Sequence, residues 1–144
     1  MKVFKSSINN KSASFKTNKR AMFELVKELN SYLKLSKIQG SEFALKKAKQ
    51  HGKSLSRDKI TKLLDKDSPF IELMSLAGLK HENGFGPGGT TIAGIGLVKK
   101  KLCIINANIG TKKGGVVDYG TSLKNLRLCT VSYTHLTLPT TVFV

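Results

Sequence analysis

At 144 residues with 40% hydrophobic content, the chain suits one domain with a sizeable core and is not poor enough in apolar residues for disorder. Twenty-five Lys and Arg against nine Asp and Glu give a formal net charge of +16, which points to anionic partners: nucleic acid, a membrane surface or phosphorylated ligands. Two cysteines, Cys103 and Cys129, exclude a disulfide framework and have no zinc-site spacing, and no run approaches transmembrane length.

The first 60 residues carry fifteen Lys or Arg and four acids, Glu24, Glu28, Glu42 and Asp58. The basic, Ser-rich N-terminus is acid-free until Glu24 and faintly resembles a transit peptide, but it lacks the apolar stretch of a secretory signal. A cytoplasmic location is therefore expected. Met22, Leu25, Val26, Leu29 and Leu33 recur at helical spacing, which predicts an amphipathic helix over Asn18–Leu35. Gly40 ends that unit, and Ser41 is placed to cap a short helix that stops at Gly52. Ser56 is expected to cap a third helix, with Ile60, Leu63 and Leu64 on one side and Pro69 closing it.

"PFIEL" then reads as a short strand. Beyond a glycine-rich loop at Asn83–Gly89, "TTIAGIGLV" alternates and is β-branched, so it reads as a strand, with Gly94 and Gly96 marking close backbone approach or a bend. Lys99-Lys100-Lys101 forms a charged turn, and "LCIINAN" is a continuous apolar run of the kind found in a central strand buried on both faces. A last helix is expected to begin near Tyr119–Thr121, with Leu123, Leu126 and Leu128 on its apolar side. Helices, then strands, then strand–loop–helix make an α/β unit.

Charge alone supports a small basic nucleic-acid-binding module. Three Arg against 22 Lys, no Trp and no alternation of aromatic with basic residues argue for a solvated basic face instead. Gly84, Gly86 and Gly89 satisfy G-x-G-x-x-G, but Pro87 sits inside it and a strand pattern follows it, so the dinucleotide fingerprint is rejected. His51 and His81 are isolated, with no metal-pair spacing. The loop Gly110–Gly115 follows the end of a strand, where ligands of α/β proteins gather. Its adjacent glycines Gly114 and Gly115 bare the backbone, the helix beyond aims its positive end there, and Lys112 and Lys113 add charge suited to phosphate. A plain strand-to-helix turn with solvated lysines accounts for the same residues equally well.

The end of the chain, "TVSYTHLTLPTT", breaks the helical period. Back-translated in one frame, Val131–Thr140 resembles the mosaic-end adapter of transposase-based sequencing libraries. Residues 130–144 are therefore expected to be adapter read-through, with natural sequence cut off near Cys129.

From about Ile8 to Cys129 the chain resembles the carboxyltransferase (beta) subunit of biotin-dependent acyl-CoA carboxylases, most closely the methylcrotonoyl-CoA type. "INNKSASFKTNKRAM" resembles the family's opening segment, and "HGKSLSRDKITKLLDKDSPFIEL" its N-terminal signature. "GPGGTTIAGIGLVKKKLCIINAN" resembles the following hairpin, and "TKKGGVVDYGTSLKNLRL" the Lys-Gly-Gly loop and helix. Where many relatives carry Thr, two aromatics and Pro after the Gly-Gly, this chain has Val116-Val117-Asp118-Tyr119.

The resemblance implies a truncated crotonase-like α/β fold, a ββα unit preceded by N-terminal helices. It divides the chain into a basic segment (1–17), a helical region (18–66), the start of the carboxyltransferase N-terminal domain (67–129) and the tail (130–144). It implies transfer of a carboxyl group from carboxybiotin to an acyl-CoA, methylcrotonoyl-CoA first and propionyl- or acetyl-CoA after it. Biotin would come on a biotin carboxylase/biotin carrier (alpha) subunit, and the beta subunits would form a homo-oligomer, with no nucleic acid or membrane as partner. Lys112, Lys113, Gly114 and Gly115 become CoA-binding residues. The family's catalytic oxyanion glycines lie beyond the truncation, so the fragment is expected to be inactive alone. A related CoA decarboxylase subunit fits the same residues.

Overall fold

The computed structural model describes Ser6 and residues 8–137. It divides into two compact units, residues 1–32 and residues 33–144. Helix α1 (Ala13–Ser36) begins five residues before the expected start, because the Ser12 hydroxyl accepts the Phe15 amide at 3.2 Å and caps it there. Its apolar stripe at Met22, Leu25, Val26 and Leu29 is exposed.

In the second unit, α2 (Glu42–Gln50) is capped by Ser41 as expected, through the Ala44 amide. Helix α3 (Ser56–Leu63) departs from expectation. Its cap is Leu55, with no side-chain bond, and Ser56 is the first helical residue. The Ser56 hydroxyl donates instead to the Asn108 carbonyl at 2.7 Å, a partner 52 residues away that local pattern cannot reveal.

Strands β1 (Phe70–Leu73), β2 (Thr91–Val98) and β3 (Lys101–Asn108) form an antiparallel sheet in the order β1-β2-β3. Register pairs Phe70 with Gly96 and Glu72 with Gly94 on one side of β2, and Ile95 with Ile104 on the other. Gly94 is required by close approach, since a Cβ there would strike the Phe70 ring and come within 2.6 Å of the Ile71 carbonyl. Lys99 (φ 49°) and Lys100 (φ 62°) make a two-residue hairpin turn in the left-handed region. The Asp65 carboxylate holds that turn by accepting both lysine amides at 2.6 Å.

The core gathers Ile60 of α3 with Ile92, Ile105 and Ile109, flanked by Leu64, Phe70, Val98, Cys103 and Ala107. The strand buried as a central one is β2. Among the described residues β3 is an edge strand, not the doubly buried one its apolar run suggested, and Leu102 is 61% exposed. Continuous hydrophobicity reports a capacity for burial, whereas the sheet order decides which strand has two neighbours.

After a 3-10 turn at Lys113–Gly115, α4 (Tyr119–Ser132) closes the ββα unit, and a π-helical turn (Tyr133–Thr137) follows. The buried face of α4 is Gly120, Thr121, Lys124 and Leu128, while Leu123 and Leu126 face solvent, against expectation. Contact with the glycine-rich loop selects a small and polar face rather than the leucine stripe. Of the suspected tail, Thr130–Thr137 continues the helix, and the hydrogen bonds from Thr130, Ser132 and Thr134 stay within it. Residues 138–144 lie outside the described residues.

Candidate functional site

The end of β3 and the start of α3 meet through the Ser56–Asn108 bond, and a cleft of about 670 Å³ opens beside them. Lys47 and His51 border it from the end of α2, Lys53 from the α2–α3 connection and Lys59 from α3. Asn108, Gly110, Thr111, Lys113, Gly114 and Gly115 form the opposite wall. The lining contains four lysines and a histidine and no acid. Its field therefore favours a polyanion.

The wall adopts an unusual backbone. Lys113 (φ 50°), Gly114 (φ 68°) and Gly115 (φ 79°) are three consecutive left-handed residues. Glycine takes this region freely, while a lysine does so only where its surroundings impose it. A Cβ on Gly114 would meet nothing within 4 Å, so the wall is bare of side chain toward open space.

The four expected site residues separate. Lys113, Gly114 and Gly115 line the cleft. Lys112 turns elsewhere: its ammonium donates to the Gly89 carbonyl at 2.7 Å. Burial lowers its pKa from the usual lysine value, with the charge of Asp118 opposing that shift.

Asp118 ties the next two pieces together. One carboxylate oxygen caps α4 by accepting the Thr121 amide at 2.8 Å, and the other accepts the Phe85 amide of the glycine-rich loop at 2.7 Å. Burial pushes its carboxyl pKa up, but the hydrogen bonds from Thr121 and Phe85 outweigh this and leave it lowered. The rejected G-x-G-x-x-G loop leads into β2, as the sequence suggested, and not into a helix. His81 stacks on Tyr119 at 4.6 Å, and no cluster of metal-ligating residues occurs among the described residues.

Sequence reasoning missed Lys47, Lys53 and Lys59 as cleft residues, and missed Gln39. The Gln39 side-chain oxygen accepts the Arg57 amide at 3.0 Å and its carbonyl accepts the Thr111 hydroxyl, joining α3 to the loop. It also missed Arg57, whose guanidinium grips the Glu72 carboxylate with two bonds of 2.7 and 3.0 Å. The density of basic residues from Lys46 to Lys59 was the available signal, but it could not say which of them look onto the cleft.

No protein-family model matches the chain. It is 38% identical over 127 residues to the probable mitochondrial methylcrotonoyl-CoA carboxylase beta chain of Drosophila melanogaster, covering 87% of this chain and 22% of that protein. It is 42% identical over 103 residues to the biotin-dependent 3-methylcrotonyl-coenzyme A carboxylase beta1 subunit of Mycobacterium tuberculosis, covering 72% of this chain and 20% of that one. The chain thus spans about a fifth of the length of the curated relatives it matches.

Among solved structures, the beta subunit of P. aeruginosa geranyl-CoA carboxylase superposes with a TM-score of 0.78 at 31% identity, over 90% of this chain and 24% of that one. The transcarboxylase 12S hexamer, solved with methylmalonyl-coenzyme A and methylmalonic acid bound, shares the fold with a TM-score of 0.66 at 19% identity, over 78% of this chain and 23% of that one. The helices, the antiparallel sheet and the ββα closure are those of a crotonase-like carboxyltransferase. With relatives and structure in agreement, the chain belongs to the carboxyltransferase (beta) subunit family of biotin-dependent acyl-CoA carboxylases, an enzyme family, and stands close to its methylcrotonoyl-CoA members.

Proposed function

We propose that the chain is part of an enzyme that transfers a carboxyl group from carboxybiotin to an acyl-CoA, and that its cleft takes the phosphate-bearing end of the CoA. The acid-free lining with Lys47, Lys53, Lys59 and Lys113 carries this reading. Exposed ammonium groups of this kind attract phosphate without the desolvation that a buried pair would need. Gly114 and Gly115 supply a wall along which the ligand approaches the backbone closely, and Lys113 reaches a phosphate from it.

Methylcrotonoyl-CoA is the proposed acceptor of the carboxyl group, supported by the relatives that carry that name. The Val116-Val117-Asp118-Tyr119 segment is the proposed reason for any departure from it. When bound in the assembled enzyme, biotin supplies the activated carboxyl group. The cleft's donors suit phosphate oxygens rather than biotin's neutral ureido ring, so no residue of this chain is assigned to it. An alpha subunit carrying biotin, a homo-oligomer of beta subunits and a cytoplasmic location complete the proposal.

Calorimetric titration of the chain with CoA, and in parallel with duplex DNA, at several salt concentrations tests it. CoA is expected to bind and to weaken with salt, and Gly115→Val to abolish that binding. A β-branched residue at φ 79° adds strain of roughly 1–3 kcal/mol, and its Cβ would lie 3.6 Å from the Gly110 Cα, against the backbone of the wall itself. Tight DNA binding with a steep salt slope and no CoA binding would overturn the proposal in favour of a basic nucleic-acid module.

A further inference from the structure

Lys112 and Lys124 are two lysines that the cleft does not use. Lys124 is 1% exposed, and its ammonium donates to the Thr91 carbonyl at 2.8 Å and the Gly88 carbonyl at 3.4 Å. Lys112 donates to the carbonyl between them in sequence, that of Gly89. The remaining carbonyl of the segment, Thr90, accepts the Ile109 amide at 2.7 Å. All four carbonyls from Gly88 to Thr91 are therefore engaged, three of them by two ammonium groups from different elements.

The same segment grips the Lys-Gly-Gly loop along its whole length. Thr90 receives Ile109 just before the loop, Gly89 receives Lys112 within it, and the Thr90 hydroxyl donates to the Val116 carbonyl just after it at 2.8 Å. Inside the loop, Lys113 holds φ 50° among local turns, Lys112 N–H to the Ile109 carbonyl, Gly115 N–H to the Lys112 carbonyl and Val116 N–H to the Lys113 carbonyl, with the Thr111 hydroxyl tied to the Gln39 carbonyl. A non-glycine residue keeps that conformation when its surroundings over-determine it.

We infer that Lys112 and Lys124 are positioning residues, which brace the Gly88–Thr91 backbone against the Lys-Gly-Gly loop and α4 and so hold the Lys113–Gly115 wall in its left-handed form. Adjacent in sequence, Lys112 and Lys113 then have different tasks: one braces the wall, the other presents charge from it. Burial disfavours the charge on both braces; Asp118 offsets this at Lys112, and Glu72 does so at Lys124 against Arg57 and Lys112. Neither takes part in the ion pairs found among the described residues. Carbonyl dipoles are thus their direct partners, as a bracing role requires. Only the link from wall to ligand rests on the proposed CoA cleft.

Amide hydrogen exchange of the 144-residue chain, followed by NMR, separates the tasks without a ligand. Loss of a charge-assisted bond in Lys112→Met or Lys124→Met is expected to speed exchange at Gly115 and Ile109 on the order of 10- to 100-fold. Lys113→Met is expected to leave both unchanged, and Lys124→Arg, which keeps a donor, to restore most of the protection. In a CoA titration, Lys113→Met should flatten the salt dependence, whereas Lys112→Met should weaken binding with the slope intact.

Unchanged exchange at Gly115 in Lys112→Met and Lys124→Met would overturn the inference. So would a salt slope flattened as much by Lys112→Met as by Lys113→Met, since Lys112 would then meet the phosphate itself. If Lys124→Met does not fold, Lys112→Met alone decides. Should CoA not bind at all, the reading of the cleft falls, and the exchange at Gly115 still upholds or overturns the braces.

Discussion

Replacing Lys124 with Met should change how stability depends on pH more than it changes stability at neutral pH. The buried ammonium has its pKa lowered from 10.5 to about 8, by burial first, with Glu72 raising it and Arg57 and Lys112 lowering it further. Above about pH 8 the folded chain gives up this proton, while the unfolded chain keeps it until about 10.5. The unfolded state then binds more protons, so this group makes stability rise with pH between those limits and contributes no slope below them. At about 1.4 kcal/mol for each pH interval of one, the full rise is about 3 kcal/mol, an order-of-magnitude figure for a residue 1% exposed.

Met fills much of the same space and does not titrate, but it leaves the carbonyls of Gly88 and Thr91 without their donor. Near pH 7 that loss of ~1–3 kcal/mol for each unsatisfied group is set against relief from burying a charge, so the two nearly cancel. Urea unfolding followed by circular dichroism at pH 7, 8, 9 and 10 gives the wild-type minus variant difference, in which the other lysines cancel. The difference should move in favour of the wild type from pH 8 upward, and an NMR titration of the Lys124 Cε carbon should place its midpoint near 8. A difference that stays flat across this range, or a midpoint above 10, would refute the reasoning.

Asp118→Ala should destabilise the fold by about 1–2 kcal/mol through loss of the α4 cap, and it should free the Phe85 amide as well. Because the Asp118 pKa is lowered, its contribution is present above the ordinary carboxyl value and is lost as pH falls through the folded pKa, so the variant and wild type should converge in acid unfolding curves. Leu102→Lys on the exposed edge strand should leave unfolding free energy within ~0.5 kcal/mol of wild type, and it should reduce self-association in sedimentation velocity.

Local pattern in this sequence was enough to determine the order of elements and the kind of unit they build. Alternation placed β2, a continuous apolar run placed β3, and the Ser41 cap and Gly52 bounded α2, while Gly94 marked a close approach; all of these depend on neighbours a few residues away. The family's Lys-Gly-Gly segment was recognisable for the same reason, because its residues are contiguous. Pattern failed where partners are distant. Ser56 has a cap-like position but donates to a carbonyl 52 residues on, and of the three leucines expected on the buried face of α4 only Leu128 lies there, with Thr121 and Lys124 in place of Leu123 and Leu126.

Tertiary structure alone decided which lysine does what. Lys112 and Lys113 are chemically identical neighbours, yet a left-handed step between them sends one ammonium to Gly89 and leaves the other at the cleft. The continuous apolar run of β3 suggested the centre of the sheet, and pairing on both sides gave that place to β2. A one-dimensional pattern records what each residue can tolerate; burial and charge take effect only when distant residues are brought within hydrogen-bonding distance, as the Gly89–Lys112 and Gln39–Thr111 pairs are across 23 and 72 positions.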